Sequence, residues 1–236
     1  MNKQIRQAQK IFLKVFAENA SLFALAGGTA LELYYLNHRF SVDLDFFSPR
    51  YDIKEIDKII SSAQEVFGFK IILENEFTVT GKARVRFYTV DVKDTDRPLK
   101  IDFVEDVLLE KPIIKKFKKV SVYSVEDIYY QKIIAISGIV PQIDEIGRQI
   151  IVGRRKARDV FDLYKLSKEI KPLSEFLKDI PQNFQRGIVY WYRTFSRREF
   201  QLDLLDLDIY EKKIDSKEII IYLENQIKKF ITEEIE

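Results

Sequence analysis

The sequence predicts an α+β fold, with a mixed β-sheet domain and flanking helices over residues 1–120 and an α-helical domain over residues 121–236. Two observations support this class. Helical and strand-like hydrophobic patterns mix along the first half, whereas the segments after about Val122 have helical patterns. Hydrophobic residues make up 46% of the 236 residues and charged residues 32%, which is typical of a chain that buries a core.

In the first half, helices are expected at 3–18, 29–36 and 53–67, and strands at 22–26, 41–47, 70–74, 83–90 and 99–104. The helix after Gly27-Gly28 is predicted to begin with a capping box, since Glu32 follows Thr29 by three residues. The strand at 41–47 (SVDLDFF) alternates polar and apolar residues, and Pro49 closes it.

In the second half, helices are expected at 125–137, 155–168, 173–179 and 217–230. Pro141, Gly147 and Gly153 punctuate the connection between the first two of these helices. The sequence contains no internal repeat and no low-complexity tract.

Composition restricts the kinds of metal site that are possible. The chain has no cysteine and one histidine, His38, so thiolate and histidine-rich sites are excluded. Any metal must be held by oxygen, which favours Mg²⁺ or Mn²⁺. No apolar run is long enough to span a membrane, and the charged N-terminus lacks the apolar core of a secretory signal, so a cytoplasmic protein with no membrane partner is expected.

The net charge of +2 gives no overall attraction to a polyanion, but basic residues cluster at Lys111–Lys119, Arg148–Arg158 and Arg193–Arg198. Each cluster can be solvated surface, and together they make a phosphate-rich partner plausible. The stretch Phe184–Phe200 mixes arginines with aromatic residues. It can stack on RNA bases or form part of the core.

Three carboxylates are candidates for a metal site. Asp43 and Asp45 are two residues apart on a predicted strand, so their side chains should share one face. Asp102 is central in the strand at 99–104. If that strand lies beside the first, the three carboxylates converge, and a divalent cation would relieve their repulsion. The alternative is that they form the polar outer face of ordinary strands.

Gly27 and Gly28 end a strand and open a helix. Their backbone N–H groups can cradle phosphates, and glycine lets the backbone approach a ligand closely. The alternative is an ordinary turn before a helix.

The segment AGGTALELYYLNHRFSVDLDFF resembles the signature of the polymerase-β-type nucleotidyltransferases, and more narrowly that of the AbiEii/AbiGii toxin family. The matching positions are Gly27, Gly28, Thr29, Ala30, Leu31, His38, Arg39, Ser41, Asp43 and Asp45. Further on, YYQKIIAIS carries Lys132, and RKARDVFDLYKL carries Arg158, Asp159 and Asp162, like the later motifs of that family. The resemblance implies a nucleotidyltransferase-type sheet domain followed by a helical domain.

The stretch between Lys132 and Arg158 is longer than the family pattern. An arginine that the family carries in this interval has Arg148 or Arg154 as its candidate counterpart.

Four further residues have both a structural and a functional interpretation. Lys132 falls within the apolar stripe of its helix, so it needs a carboxylate or phosphate partner unless it reaches out to solvent. Asp159 and Asp162 can form local pairs with the arginines four residues earlier, or serve the site. Arg39 can bind phosphate or satisfy the carbonyls at a helix end.

The site residues are therefore assigned as follows. The metal ligands are expected to be Asp43, Asp45 and Asp102. Catalysis is expected to involve these three together with Lys132 and Asp159, with Asp102 as the general base. Nucleotide binding is assigned to Gly27, Gly28, Thr29, Arg39, Ser41 and Lys132.

The expected reaction is transfer of a nucleoside monophosphate from an NTP to an acceptor hydroxyl, with Mg²⁺ or Mn²⁺. The family resemblance implies the toxin of a toxin–antitoxin pair, an RNA acceptor such as the tRNA 3′ end, and a cognate antitoxin protein as partner. The alternatives are an acceptor hydroxyl on a small molecule or a protein, and a binding module of the same fold without turnover.

Overall fold

The computed structural model describes residues 3–68, 70–78, 82–138, 141–143, 149–151 and 153–235. These residues form two compact units. The first comprises the residues up to Tyr35 together with Phe40–Asp127, and the second comprises Leu36–Arg39 together with the residues from Ile128 onward. The chain therefore passes between the units near residue 36, again near residue 40, and finally within a helix. The predicted domain division at residue 120 stays a prediction.

The first unit contains most of the β-structure. Its helices are α1 (Lys3–Asn19), α2 (Gly27–Ala30), which continues as a π-helical segment (Leu31–Leu36), and α3 (Ile53–Phe67). Its strands are β1 (Ala24–Ala26), β2 (Leu44–Ser48), β3 (Ile72–Phe77), β4 (Val85–Val90), β5 (Leu99–Glu105), β6 (Ile114–Phe117) and β7 (Val120–Tyr123).

The second unit is mainly helical. The chain enters it along α4 (Val125–Ser137) and continues through α5 (Ala157–Glu169), α6 (Leu173–Phe176) with a 3₁₀ turn (Leu177–Asp179), α7 (Gln182–Thr194), α8 (Arg197–Leu205) and α9 (Ser216–Ile235). A short antiparallel pair, β8 (Pro141–Ile143) and β9 (Gln149–Ile151), lies between α4 and α5.

Seven strands form one mixed sheet in the order β3-β4-β5-β2-β1-β7-β6. The pairs β2–β5 and β1–β7 are parallel, and the other neighbours are antiparallel. This sheet, followed by a helical C-terminal region, confirms the predicted α+β class.

One face of the central strands forms the core of the first unit. Leu44 and Phe46 of β2, and Ile101 and Phe103 of β5, are fully buried. Helix α1 covers them, with the ring of Phe16 stacked on that of Phe46 at 4.1 Å between centroids. The alternate residues of both strands therefore face the other side of the sheet, where the candidate site lies.

The predicted boundaries hold for α3 and α4, whereas several strands differ. The strand expected at 41–47 begins only at Leu44, and the one expected at 70–74 runs from Ile72 to Phe77. The β6–β7 hairpin was not predicted, because the lysines of IKKF hide its strand pattern. Lysines suit an outer strand, since their charge discourages pairing with other chains.

The helical half also contains elements that the sequence did not predict. The α7 and α8 helices cover the aromatic and arginine-rich stretch, and β8 and β9 occupy the connection that had been marked only by proline and glycine. In the described part of the chain, no helix is long and apolar enough to cross a membrane.

Candidate active site

Asp45 and Asp102 lie directly opposite each other on neighbouring strands. They are register partners in the parallel pairing of β2 with β5. Register partners project to the same face of a sheet, and here that face is the one opposite the core. Both residues are half-buried. Two carboxylates that repel each other are thus held side by side, as predicted from their strand patterns.

Gly27 leaves room for the carboxylate of Asp45. Asp45 pairs with Ala26, the residue before the glycine, across β1 and β2. A methyl group added at Gly27 would overlap Oδ2 of Asp45. Gly27 also has a φ of +66°, which side chains with a Cβ rarely adopt. The close approach of Asp45 and the positive φ both favour glycine at position 27. The backbone bend at Gly27 therefore lies against the carboxylate of Asp45.

Three polar side chains hold the segment Ser41–Asp43, which precedes β2. Gln9 of α1 donates to the carbonyls of Ser41 and Val42 at 2.8 and 2.7 Å. Glu32 accepts from the Ser41 N–H at 2.9 Å, and the Thr29 hydroxyl donates to the carbonyl of Asp43. All three side chains belong to buried residues. Side chains rather than strand hydrogen bonds therefore satisfy this backbone, which explains why β2 begins late.

The predicted capping box is wrong. The helical run begins at Gly27, with Ala26 at the N-cap and no side-chain cap, so Thr29 is its third residue. Glu32 pairs with Arg6 and with the Ser41 N–H. The Thr29 hydroxyl donates to the Asp43 carbonyl, and the Glu32 carboxylate accepts from the Ser41 N–H, so neither side chain caps the helix.

Asp43 differs from the other two carboxylates because it precedes the strand, so strand alternation does not fix its side-chain direction. Among the residues that the structure describes, no group of three or more histidine, aspartate or glutamate side chains is arranged to hold a metal ion. The strand register brings Asp45 and Asp102 side by side, and the assignment of Asp43, Asp45 and Asp102 as metal ligands stays a prediction. Two carboxylates fit Mg²⁺, which commonly takes one or two from the protein and completes its shell with phosphate oxygens and water.

The second unit contains a buried cluster of charged side chains around Asp162. Arg39 donates to Asp162 Oδ1 from Nε at 2.7 Å and to Oδ2 from Nη2 at 2.8 Å. His38 Nε2 lies 2.7 Å from Oδ1, and Lys132 Nζ lies 2.8 Å from Oδ2. The Asp162 side chain is fully buried. These partners are 30 or more residues away in sequence, unlike the local arginine pairs considered from the sequence.

Lys132 connects Asp162 with Asp159. Its Nζ lies 2.8 Å from Asp159 Oδ1 and 2.8 Å from Asp162 Oδ2. The stripe position of Lys132 required such a partner, and the structure supplies two carboxylates. The other oxygen of Asp159, Oδ2, is buried and has no hydrogen-bond partner within the described residues.

The cluster shifts the pKa values of its members. Burial alone raises the pKa of Asp162, but Arg39 and Lys132 outweigh it, so the pKa lies well below the ordinary value. For Asp159, burial is likewise outweighed by Lys132, and its pKa is lowered. Burial lowers the pKa of Lys132, but Asp159 and Asp162 together raise it above the ordinary value. The two carboxylates and this lysine are therefore charged at neutral pH.

His38 and Arg39 are anchored in the second unit by more than Asp162. The His38 ring stacks on Phe161, and its carbonyl accepts from the Tyr210 N–H at 3.1 Å. Arg39 forms a β-bridge with Ile209. The guanidinium of Arg39 is thus engaged by a carboxylate, and its predicted contact with a phosphate stays a prediction. The same holds for Lys132 and for the buried Ser41.

Arg154 lies in the neighbourhood of Asp159, where its charge helps to lower the pKa of that carboxyl. Its N–H donates to the carbonyl of Ala135 in α4 at 2.7 Å. The preceding Gly153 makes this approach possible, since a Cβ there would overlap the Ile136 carbonyl. The other candidate for the family arginine, Arg148, lies outside the described residues.

The basic clusters are exposed where the structure describes them. Lys115 and Lys116 lie on the outer strand β6, and Arg193, Arg197 and Arg198 are exposed on the helical unit. The aromatic residues of 184–200 are divided: Phe184, Trp191, Tyr192, Phe195 and Phe200 are buried, as expected of core residues. Tyr190 is 44% exposed.

The sequence did not single out Gln9 or the central position of Asp162. Gln9 could have been noticed as a polar residue within the apolar stripe of α1, between Ile5 and Phe12. Asp162 gave no comparable signal, because its partners come from distant segments.

A glycine-opened helix beside paired aspartates, on a mixed sheet followed by helices, is the arrangement expected of a nucleotidyltransferase-type protein. A family model described as nucleotidyl transferase AbiEii toxin, type IV toxin–antitoxin system, matches residues 11–223. The chain belongs to this family.

Two solved structures from Helicobacter pylori have a similar fold. JHP933 is 20% identical with a TM-score of 0.57, over 99% of this chain and 96% of that one. A provisionally assigned nucleotidyltransferase is also 20% identical with a TM-score of 0.56, over 97% of this chain and 95% of that one. No curated protein matches the sequence.

Proposed function

We propose that this protein transfers a nucleoside monophosphate from an NTP to a hydroxyl group of RNA, with tRNA as the candidate acceptor. The observation that carries the proposal is the register pairing of Asp45 with Asp102, next to a glycine that must lack a side chain. Two carboxylates side by side on one sheet face are a ligand arrangement that Mg²⁺ accepts, and a cation bound there could also bind the oxygens of a triphosphate.

Asp45 and Asp102, joined by Asp43, would hold Mg²⁺ or Mn²⁺, which when bound neutralises charge on the α-phosphate and on the pyrophosphate leaving group. The backbone N–H groups of Gly27 and Gly28 would bind the triphosphate. Thr29, Gln9 and Glu32 act as positioning residues, because they hold the segment that carries Asp43.

The chemical step is a substitution at phosphorus. A bond forms between the acceptor oxygen and the α-phosphorus, and the bond from the α-phosphorus to the oxygen that bridges the α- and β-phosphates breaks, so pyrophosphate leaves. The proton of the acceptor hydroxyl passes to the carboxylate of Asp102, which acts as the general base. Lys132 and Asp159 keep the catalytic part that the family resemblance implies, and they form an ion pair within the buried charge cluster.

Family membership also supports a toxin role, and we propose that a cognate antitoxin protein restrains the enzyme. Expression of the wild-type chain should stop growth, whereas expression of Asp43→Ala should not. If the wild type and Asp43→Ala stopped growth equally, growth arrest would not depend on nucleotidyl transfer.

The direct test is incubation with each labelled NTP, total RNA and Mg²⁺, using wild type, Asp43→Ala and Asp91→Ala. Asp91 is an exposed aspartate outside the strands and serves as the matched control. Label should enter RNA with the wild type and with Asp91→Ala, and should be lost with Asp43→Ala or with EDTA.

Label in protein or in a small molecule instead of RNA would reassign the acceptor. Absence of both label transfer and NTP binding would overturn the proposal in favour of a binding module without turnover.

A further inference from the structure

A groove of about 430 Å³ lies on the second unit between α7 and α9. This volume falls within the range of about 300–1,000 Å³ that is usual for small-ligand pockets. Its lining includes Gln185, Arg186, Tyr190, Arg193, Phe230 and Glu234. We propose that this groove binds one nucleotide of a single-stranded RNA.

The positive charge of the groove is available to a ligand. Arg186 and Arg193 are seven residues apart on α7, so they lie on one helix face with Tyr190 between them. Both arginines are exposed, and neither forms an ion pair with another residue that the structure describes. Two unpaired guanidinium groups on one face are suited to phosphates, which they can bind through two hydrogen bonds each.

The groove also offers a flat aromatic surface. Tyr190 is 44% exposed, in contrast to the other aromatic residues of α7, which are buried. Phe230 of α9 lines the groove as well but is buried, so Tyr190 is the ring in this lining that is exposed for stacking. An exposed ring between two arginines is the combination with which proteins stack single-stranded bases while holding the backbone.

Two further residues of the lining carry hydrogen-bond acceptors. Gln185 uses its amide nitrogen to donate to the carbonyls of Leu177 and Ile180 at 2.9 and 3.0 Å, and these bonds do not use its side-chain oxygen, which is an acceptor. Glu234 is exposed and adds a carboxylate. Carboxylate and amide oxygens accept from the amino groups of adenine, cytosine and guanine.

The carboxylate distinguishes a nucleotide from an acidic peptide. An acidic peptide would satisfy Arg186 and Arg193, but it would bring no amino group of a base for Glu234 and no flat base for Tyr190. A nucleotide supplies a phosphate, a ring and, in three of the four bases, an amino group. The chemistry of the groove therefore favours a nucleotide.

Binding of RNA by the groove does not depend on catalysis. That the bound RNA is the acceptor of the reaction rests on the proposed nucleotidyl transfer. Binding is therefore measured without NTP and with EDTA. The probe is a fluorescein-labelled single-stranded RNA of about twelve nucleotides, and the readout is fluorescence anisotropy with the full chain.

We expect the double variant Arg186→Glu and Arg193→Glu to weaken binding at least tenfold. The control variant Lys212→Glu and Lys213→Glu makes the same change in net charge with two exposed lysines of the same unit that do not line the groove, and should weaken binding no more than about twofold. A nucleotide within a strand lies between two phosphates, one for each arginine, and each lost phosphate contact removes about 0.7 from the salt slope of single-stranded binding, so the groove variant should have a slope shallower by about 1.4.

Tyr190→Ala should weaken binding about tenfold through lost stacking, and Tyr190→Phe should not. An abasic oligonucleotide of equal length should bind about tenfold more weakly than RNA. Equal losses in the two charge variants, an unchanged Tyr190→Ala, or competition by polyglutamate as strong as by RNA would each overturn the assignment. If binding behaves as expected but label transfer fails, the groove stands and the proposed function falls.

Discussion

Arg39 and Asp162 form a two-point ion pair, with N–O distances of 2.7 and 2.8 Å and with side chains that are 5% and 0% exposed. The pair joins residues 123 positions apart in sequence. A buried pair of this kind is costly to disrupt one side at a time, because the remaining charge stays in a medium that solvates it poorly.

Asp162→Asn should therefore destabilise the protein by about 3–5 kcal/mol, since Arg39 and Lys132 would keep their charges without this carboxylate. The measurement is the free energy of unfolding in urea at pH 7. Asp203→Asn, which changes an exposed aspartate of the same unit, should stay within about 0.5 kcal/mol of wild type. A loss below about 1 kcal/mol for Asp162→Asn would mean that the cluster contributes little.

The same cluster predicts how stability depends on pH. The pKa values of Asp159 and Asp162 are lower in the folded protein than the ordinary value of 3.8. The unfolded chain thus binds more protons below about pH 5, so this stabilisation is complete above that pH and is lost progressively as pH falls past 3.8 toward the lower pKa values of the folded protein.

Unfolding free energies measured between pH 2.5 and 7 should decline on the acid side, and Asp162→Asn should decline less. Parallel curves for the two proteins would contradict the lowered pKa of Asp162.

Gly27 and Gly68 provide a matched pair of substitutions. Both have positive φ, +66° and +72°, but a Cβ at Gly68 meets nothing within 4 Å, whereas one at Gly27 overlaps Asp45. Each alanine variant should lose about 1–2 kcal/mol of stability from backbone strain. Only Gly27→Ala should also lose nucleotidyl transfer, because it displaces the carboxylate. Equal transfer rates for the two variants in the labelled-NTP assay would remove Asp45 from the reaction.

Gln9 is expected to matter for activity although it belongs to the first helix. Gln9→Leu leaves the carbonyls of Ser41 and Val42 without their donor, which should cost about 1–3 kcal/mol and loosen the segment before β2. Transfer should fall by more than the loss of folded protein accounts for. Lys14→Ala, on the exposed side of the same helix, is the control and should change neither quantity. Unchanged transfer by a stable Gln9→Leu variant would argue against positioning of Asp43.

The sequence was sufficient to predict the fold class and the neighbourhood of Asp45 and Asp102. Both aspartates alternate with fully apolar residues, and alternation is a local property that fixes the face of a strand. The pairing of β2 with β5 is not local, so the sequence supports it only as a condition for the carboxylates to converge, and the strand register of the folded protein meets that condition.

The start of β2 and the partners of Asp162 could not be read from local patterns. The Ser41–Asp43 backbone is satisfied by side chains from α1 and from the helical run at Gly27, and these segments meet only in the folded protein. Thr29 and Glu32 have the spacing of a capping box, but tertiary hydrogen bonds engage both side chains instead. The β6 strand was missed for a related reason, since its lysines suit an outer edge and conceal the alternation.

The excursion of Leu36–Arg39 into the second unit has a consequence for how the protein can be made. During synthesis, a ribosome releases the sheet segments first, but the guanidinium of Arg39 meets its carboxylate only after Asp162 has emerged. If the coding sequence were divided after Asp127, the helical fragment would lack His38 and Arg39. Truncation therefore cannot yield two self-sufficient halves, and the nascent chain reaches its final arrangement only late in translation.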